Sequence, residues 1–191
     1  MGSYNVSEFK KGIKVTVDNE PYLMVDFEFM KPGKGQAVYR TKLKNLLRGN
    51  VIDRNYRSGD KLDSADVVEV SLQYLYNDTQ SWHFMNPENF EQYALSKETV
   101  EEAAKWLKDE TLVKVMFWDN RPIQVEPPAH VRLAVTYCEP AARGNTATGV
   151  SKPAKLETGA EVNVPAFINI GDIVRVDTRT GDYIERVSKG A

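Results

Sequence analysis

Tyr22-Leu23-Met24-Val25-Asp26-Phe27-Glu28-Phe29-Met30-Lys31-Pro32-Gly33-Lys34-Gly35-Gln36-Ala37-Val38-Tyr39-Arg40-Thr41-Lys42-Leu43-Lys44 is the stretch from which the fold is read. At its start, Leu23, Val25, Phe27 and Phe29 alternate with Tyr22, Met24, Asp26 and Glu28; at its end, Arg40, Lys42 and Lys44 alternate with Tyr39, Thr41 and Leu43. A period of two places each set on one face of a β-strand. The residues between them, 31–37, read as a turn. Pro32 fixes its own φ and restricts Lys31 before it, and Gly33 and Gly35 permit backbone angles that a Cβ disfavours. The pattern predicts a hairpin with a rigid tip. Lys34 stands outward at that tip, and a basic stripe leads away from it. Any one of these cations alone is an ordinary solvated surface residue. Tip and stripe together favour an anionic partner, because geometry and charge point the same way.

Outward from the hairpin, the bulk composition bounds the class. A chain of 191 residues holds one large domain or two to three small ones. With 41% hydrophobic and 27% charged residues it is expected to be globular rather than disordered. No apolar run reaches the ~18 residues of a membrane helix, and the first residues, Met1-Gly2-Ser3-Tyr4-Asn5-Val6, lack a secretory apolar core. The lone Cys138 has no internal disulfide partner. These features predict a cytoplasmic protein with no membrane association. The net charge of −2 is unevenly spread. Residues 1–63 hold 12 Lys/Arg against 8 Asp/Glu, residues 64–128 hold 5 against 12, and residues 129–191 hold 8 against 7. The amino-terminal third is thus the part suited to phosphate, and the middle third is not.

The remaining pattern is mostly β, in short alternations separated by turns. Ser58-Gly59-Asp60 and Asp63-Ser64 mark the end of a first unit. In a second, Val70, Leu72, Tyr74 and Tyr76 alternate into a turn at Asn77-Asp78-Thr79, and Trp82 and Phe84 alternate out of it. Val100, Ala103, Ala104 and Leu107 follow i, i+3, i+4, i+7 spacing and predict one helix, capped by Thr99 with Glu102 or by Ser96. Pro127-Pro128 reads as a stiff linker. The third unit carries a long polar loop over 139–152 and a final hairpin turning at Thr178-Arg179-Thr180-Gly181-Asp182. A helix among short strands suits an OB-type barrel.

A second motif lies far from the first. Lys152-Pro153-Ala154-Lys155-Leu156-Glu157-Thr158-Gly159, followed by Val164, Pro165 and Gly171, resembles the carboxy-terminal signature of bacterial translation elongation factor P. The hairpin tip resembles the amino-terminal domain of the same family, whose tip lysine or arginine falls on Lys34. The related hypusine-containing initiation factors usually have histidines near that lysine; Gln36 and Ala37 stand here, which favours the bacterial form. An elongation-factor-P-like paralogue is the near alternative, though its tip usually carries arginine.

The resemblance implies an all-β chain of three small barrels in an L shape. An SH3-like (KOW-like) domain over 1–64 carries the tip, and OB-type domains follow over 65–127 and 128–191. It implies binding to the ribosome between peptidyl and exit sites, along a peptidyl-tRNA (initiator or prolyl tRNA) and rRNA, and relief of stalling at consecutive prolines. Lys34 would be extended after translation, by a β-lysyl group in the closest relatives, through a lysyl-tRNA-synthetase-like ligase. Lys31, Pro32, Gly33, Gly35 and Gln36 would hold the tip, and Arg40, Lys42 and Lys44 would face tRNA or rRNA. Arg143-Gly144-Asn145-Thr146 resembles a loop that approaches mRNA in the exit site. Asn145 replaces the family's usual aspartate, adding donors and losing a charge. A monomer without cofactor is expected.

Two rival classes part from this reading. An enzyme needs an activated group, such as a lysine with a lowered pKa, yet His83 lies on a strand, His130 has no partner motif, Cys138 lacks metal-site spacing, and no P-loop or dinucleotide fingerprint is present. No catalytic residue and no metal site is assigned. A general OB-type RNA-binding or chaperone protein would use Tyr74, Tyr76, Trp82 and Phe84 as a stacking platform, and there a core role competes.

Overall fold

In a computed structural model, residues 2–140 and 150–190 are described. The first sheet contains β1 (Ser3–Asn5), β2 (Lys14–Val17), β3 (Glu20–Met30), β4 (Val38–Asn45), β5 (Val51–Arg57) and β6 (Lys61–Ser64). Its order is β1-β6-β2-β3-β4-β5. β2 turns Val15 and Val17 inward, β4 turns Thr41, Leu43 and Asn45 inward, and these join Val6, Phe9, Ile13, Tyr22, Met24 and Leu62 among the buried residues.

The alternation expected along β3 does not run through it. Met24 pairs with Leu43 but Asp26 pairs with Lys42, so Val25 is an extra residue in β3, a β-bulge. A one-residue slip exchanges the two faces of a strand. Before the bulge Tyr22 and Met24 face the core; after it Phe27 packs there instead. Asp26 and Glu28 then share the outer face with Lys42 and Arg40.

The second sheet contains β7 (Val67–Asn77), β8 (Ser81–Met85), β9 (Gln92–Ser96), β10 (Leu112–Trp118) and β11 (Arg121–Glu126), in the order β11-β10-β7-β8-β9. The expected turn at residues 77–79 joins β7 to β8: Asp78 Oδ1 accepts from the N–H groups of Gln80 and Ser81, both at 2.8 Å. Here too a bulge interrupts the pattern. Tyr74 pairs with Phe84 and Tyr76 with His83, so Tyr74 is buried and Tyr76 is exposed.

The predicted helix is shorter and tighter than its spacing suggested. α1 (Lys97–Val100) is a single α-turn, and a 3₁₀ segment, Glu101–Trp106, continues it. Glu101 breaks the α-geometry with φ +41°. Ser96, not Thr99, is the N-cap: its Oγ accepts from the Thr99 N–H at 3.3 Å. Three residues per turn put Val100, Ala103 and Trp106 on one buried face, whereas Ala104 is only half-buried.

The third sheet contains β12 (His130–Cys138), β13 (Ser151–Leu156), β14 (Glu161–Pro165), β15 (Ile173–Asp177) and β16 (Tyr183–Ser188), in the order β14-β13-β12-β15-β16. Pro127 and Pro128 lie outside the strands that flank them. Residues 1–70 with 115–124 form one compact unit, and residues 71–114 with 125–191 form a second. Within the second, Trp106 is part of the third sheet's core, among Val131, Leu133, Val135, Val174 and Val176. Two polar links flank it: Lys108 pairs with Glu157 at 3.0 Å, and the Thr158 hydroxyl donates to the Lys105 carbonyl at 2.6 Å. At the end of the described chain, the buried Asp172 carboxylate accepts from the N–H groups of Asn169 (3.0 Å) and Gly190 (2.9 Å) and from Arg186 (3.4 Å).

Candidate functional site: the Lys34 hairpin tip

β3 and β4 pair out to Met30 and Val38, and the chain between them forms a seven-residue loop. Lys31, Pro32, Gly33, Lys34, Gly35 and Gln36 are all exposed, so the lysine side chain stands in solvent. The two glycines differ. Gly35 has φ +155° and Gly33 is not among the residues of positive φ. A Cβ on Gly35 would stand 3.4 Å from the Pro32 ring, whereas one on Gly33 would meet nothing. Gly35 is therefore the position where the loop requires glycine.

Beneath the loop runs a chain of aromatic rings. Phe9, in the core, meets Tyr56 edge-on at 5.5 Å and Phe27 edge-on at 6.3 Å. Phe27 stacks on Tyr39 at 6.0 Å, and Tyr39 meets Phe29 at 5.0 Å. Phe29 is 50% exposed and pairs across the hairpin with Tyr39, one row short of Met30 and Val38. The bulge at Val25 makes this possible by placing Phe27 on the core face. A signal was present in the sequence: after Met24 the next even positions are the acidic Asp26 and Glu28, while the odd ones stay apolar through Phe29.

Arg40, Lys42 and Lys44 alternate outward from β4 and are exposed, as their spacing predicts. Their neighbours change the electrostatics. Arg40 stands between Glu28 and Asn55, Lys42 between Asp26 and Asp53, and Lys44 between Leu23 and Val51. Asp26 also binds Lys11 at 2.8 Å. That hydrogen bond, the Phe27 N–H and the charges of Lys11 and Lys42 hold its carboxyl below the usual carboxylate range. Reading β4 alone gave a basic stripe; the paired strands interleave it with carboxylates. Of the β4 cations only Lys44 has no carboxylate opposite it, and Lys31 and Lys34 lie in the loop beyond the paired rows.

Other sequence candidates fall elsewhere. Arg143, Gly144, Asn145 and Thr146 lie outside the described residues. Tyr74 and Phe84 are core residues, so only Tyr76 and the half-buried Trp82 remain of the aromatic platform. Tyr76 stacks on His83 at 4.5 Å, and His83 Nε2 meets Asp78 at 2.7 Å. Cys138 is buried, with its thiol directed to the Ile168 carbonyl at 3.6 Å. Among the described residues no cluster of His, Cys, Asp and Glu could hold a metal ion, and no helix is long and apolar enough to cross a membrane.

Comparison with known proteins bears on the whole chain. Residues 5–62 match the family model for the elongation factor P KOW-like domain, residues 67–125 that for the elongation factor P OB domain, and residues 131–186 that for the elongation factor P C-terminal domain. The elongation factor P of Magnetococcus marinus is 52% identical over 180 residues, covering 94% of this chain and 96% of that protein. The chain belongs to the elongation factor P family. Its all-β architecture is that of a KOW-like domain with OB-type domains, and its role is that of a translation elongation factor. The fold extends to solved structures of lower identity. A eukaryotic translation initiation factor 5A from Methanococcus jannaschii superposes with TM-score 0.55 at 20% identity, over 66% of this chain and 92% of that one. A translation initiation factor eif-5a family protein from Naegleria fowleri does so with TM-score 0.52 at 18% identity, over 65% and 97%.

Proposed function

We propose that the chain binds the ribosome between its peptidyl and exit sites, lies along a peptidyl-tRNA, and stimulates peptide-bond formation at consecutive prolines through Lys34. The observation that carries this reading is the exposed lysine in the loop that joins β3 to β4, beyond the last paired row, Met30–Val38–Arg57. From the Phe27–Thr41 row to the Met30–Val38 row is three residues, about 10 Å of strand, and the loop extends further. Lysine adds four methylenes and one ammonium. A β-lysyl extension installed by a lysyl-tRNA-synthetase-like ligase lengthens that reach. Proline is a poor partner in peptide transfer because its ring constrains both nucleophile and nascent chain. The factor contributes orientation of the tRNA acceptor end rather than a reacting group, which lowers the entropic part of the barrier.

The segments 1–64, 65–127 and 128–191 act on this reading as the tip-bearing module and two OB-type modules. Lys31 and Lys44 are the cations best placed for tRNA or rRNA phosphates, since carboxylates flank Arg40 and Lys42. Arg143, Gly144, Asn145 and Thr146 are assigned to the mRNA side of the exit site on the family resemblance alone. The test is synthesis of a reporter with three consecutive prolines in reconstituted translation. Wild-type protein and Lys34→Ala, both from the native host, are compared. Wild type should relieve the stall and Lys34→Ala should not; equal relief by both would remove Lys34 from the site.

A further inference from the structure

We infer that Phe29 and Tyr39 are positioning residues for Lys34, the outer links of an aromatic chain that ties the tip to the core of the first sheet. The inference rests on the reading of Lys34 given above. Beyond Leu23 the outer part of β3 no longer pairs with β2 and is held in the sheet through β4, which β5 flanks out to the Val38–Arg57 pair. Here four ring contacts run without a gap: Tyr56 to Phe9, Phe9 to Phe27, Phe27 to Tyr39, and Tyr39 to Phe29. The inner end is anchored, because Phe9 is 5% exposed. The outer end is not buried, because Phe29 is half exposed, and burial alone therefore does not explain a large aromatic at that position. Register explains it better: Phe29, Tyr39 and Tyr56 form one row across β3, β4 and β5. Aromatic pairs in such rows stiffen a sheet through side-chain contact.

Two further details aim the same chain at the tip. The bulge at Val25 turns Phe27 and Phe29 to the face that Tyr39 and Tyr56 occupy. Beyond the Phe29 row one more paired row, Met30–Val38–Arg57, precedes the loop. A ring at Phe29 therefore limits twisting of the last paired row, and with it the cone over which the Lys34 side chain ranges. An arm already confined to that cone has less entropy to lose when it reaches its target, and where the arm engages only after the rest of the protein has bound, that gain enters the maximal rate.

The experiment uses full-length protein as wild type, Phe29→Ala, Phe29→Tyr and Lys34→Ala. The three that keep Lys34 are matched in mass at that residue by intact-protein mass spectrometry. The first readout needs no ribosome: backbone ¹⁵N order parameters at Gly33, Lys34, Gly35 and Gln36. Phe29→Ala should lower them while those of Val15, Met24 and Leu43 stay fixed, and Phe29→Tyr should restore them. The second is the triproline reporter. Phe29→Ala should lower the maximal rate of rescue about two- to tenfold, with the half-saturating concentration unchanged, and Phe29→Tyr should recover it. Unchanged order parameters at the tip in Phe29→Ala, or rescue at the wild-type maximal rate, overturns the inference. Failure of wild type to rescue, or full rescue by Lys34→Ala, overturns the reading of Lys34 instead, and the order parameters then decide the ring chain alone.

Discussion

Trp106 offers the sharpest test of how the second unit is held together. It lies in the segment that matches the OB-domain model, yet it is 3% exposed within the core of the segment that matches the C-terminal model. A buried tryptophan removes roughly 150–250 Å² from water, which at about 25 cal/mol per Å² sets an upper limit near 4–6 kcal/mol. Truncation to alanine leaves a cavity that relaxes only in part, and losses of about 3–5 kcal/mol are the usual result. A chain of several modules need not unfold in one step, so the loss is best read locally, by native-state hydrogen exchange. Protection of the amides of Val131, Leu133, Val174 and Val176 should fall by about two to four powers of ten in Trp106→Ala. Amides of β2–β4 should keep their protection. Trp106→Phe should lose much less than Trp106→Ala. A loss below tenfold in β12 and β15 would refute the argument that Trp106 is an integral part of that core.

Four further outcomes are expected. Gly35→Val forces a β-branched residue to φ +155° against the Pro32 ring, so triproline rescue should fall several-fold while the melting temperature stays within a degree or two. Gly190→Ala would bring a Cβ to 2.6 Å from the Gly171 carbonyl carbon and pull the Gly190 N–H off Asp172; a loss of about 1–3 kcal/mol is expected, measurable as increased exchange in β15 and β16. Burial raises the pKa of Asp172, but the Asn169 and Gly190 N–H groups and Arg186 outweigh it and hold the carboxyl below its ordinary value. A depressed carboxylate stabilises the fold fully above its unfolded pKa of about 3.9, and that contribution is lost as pH falls through the folded value. Acid unfolding followed by circular dichroism should therefore show Asp172→Asn with a shallower acid limb than wild type. At the β7–β8 turn, the hydrogen bond from His83, with the Gln80 and Ser81 N–H groups, lowers Asp78 to about 2. Its carboxyl carbon should titrate there by NMR, and His83→Ala should move the midpoint up.

Most of the hairpin was legible because strand period and turn chemistry are local. Pro32 and Gly35 mark the loop, and β4 alternates as its residues predict. The face carried by β3 beyond Met24 was not, because a bulge is defined by the partner strand: only the pairing of Asp26 with Lys42 reveals Val25 as the extra residue. The same holds at Tyr74 and Tyr76, where one tyrosine enters the core and the other leaves it. The spacing of Val100, Ala103, Ala104 and Leu107 located a helical segment but assumed 3.6 residues per turn. The 3₁₀ continuation uses three, and brings Trp106 to the buried face.

The sequence by itself determined that the chain is built of short strands, that Lys34 stands at a glycine- and proline-shaped tip, and that two distant motifs belong to one family. Periodicity, backbone restriction and motif order need no neighbours to be read. Only the tertiary structure decided which faces are buried beyond each bulge, that carboxylates from β3 and β5 interleave the cations of β4, and that Trp106 completes a core made by strands that follow it in the chain. Those properties belong to pairs of residues brought together from separate segments. Charge, packing and ring contact act across space, and no spacing along the chain encodes them.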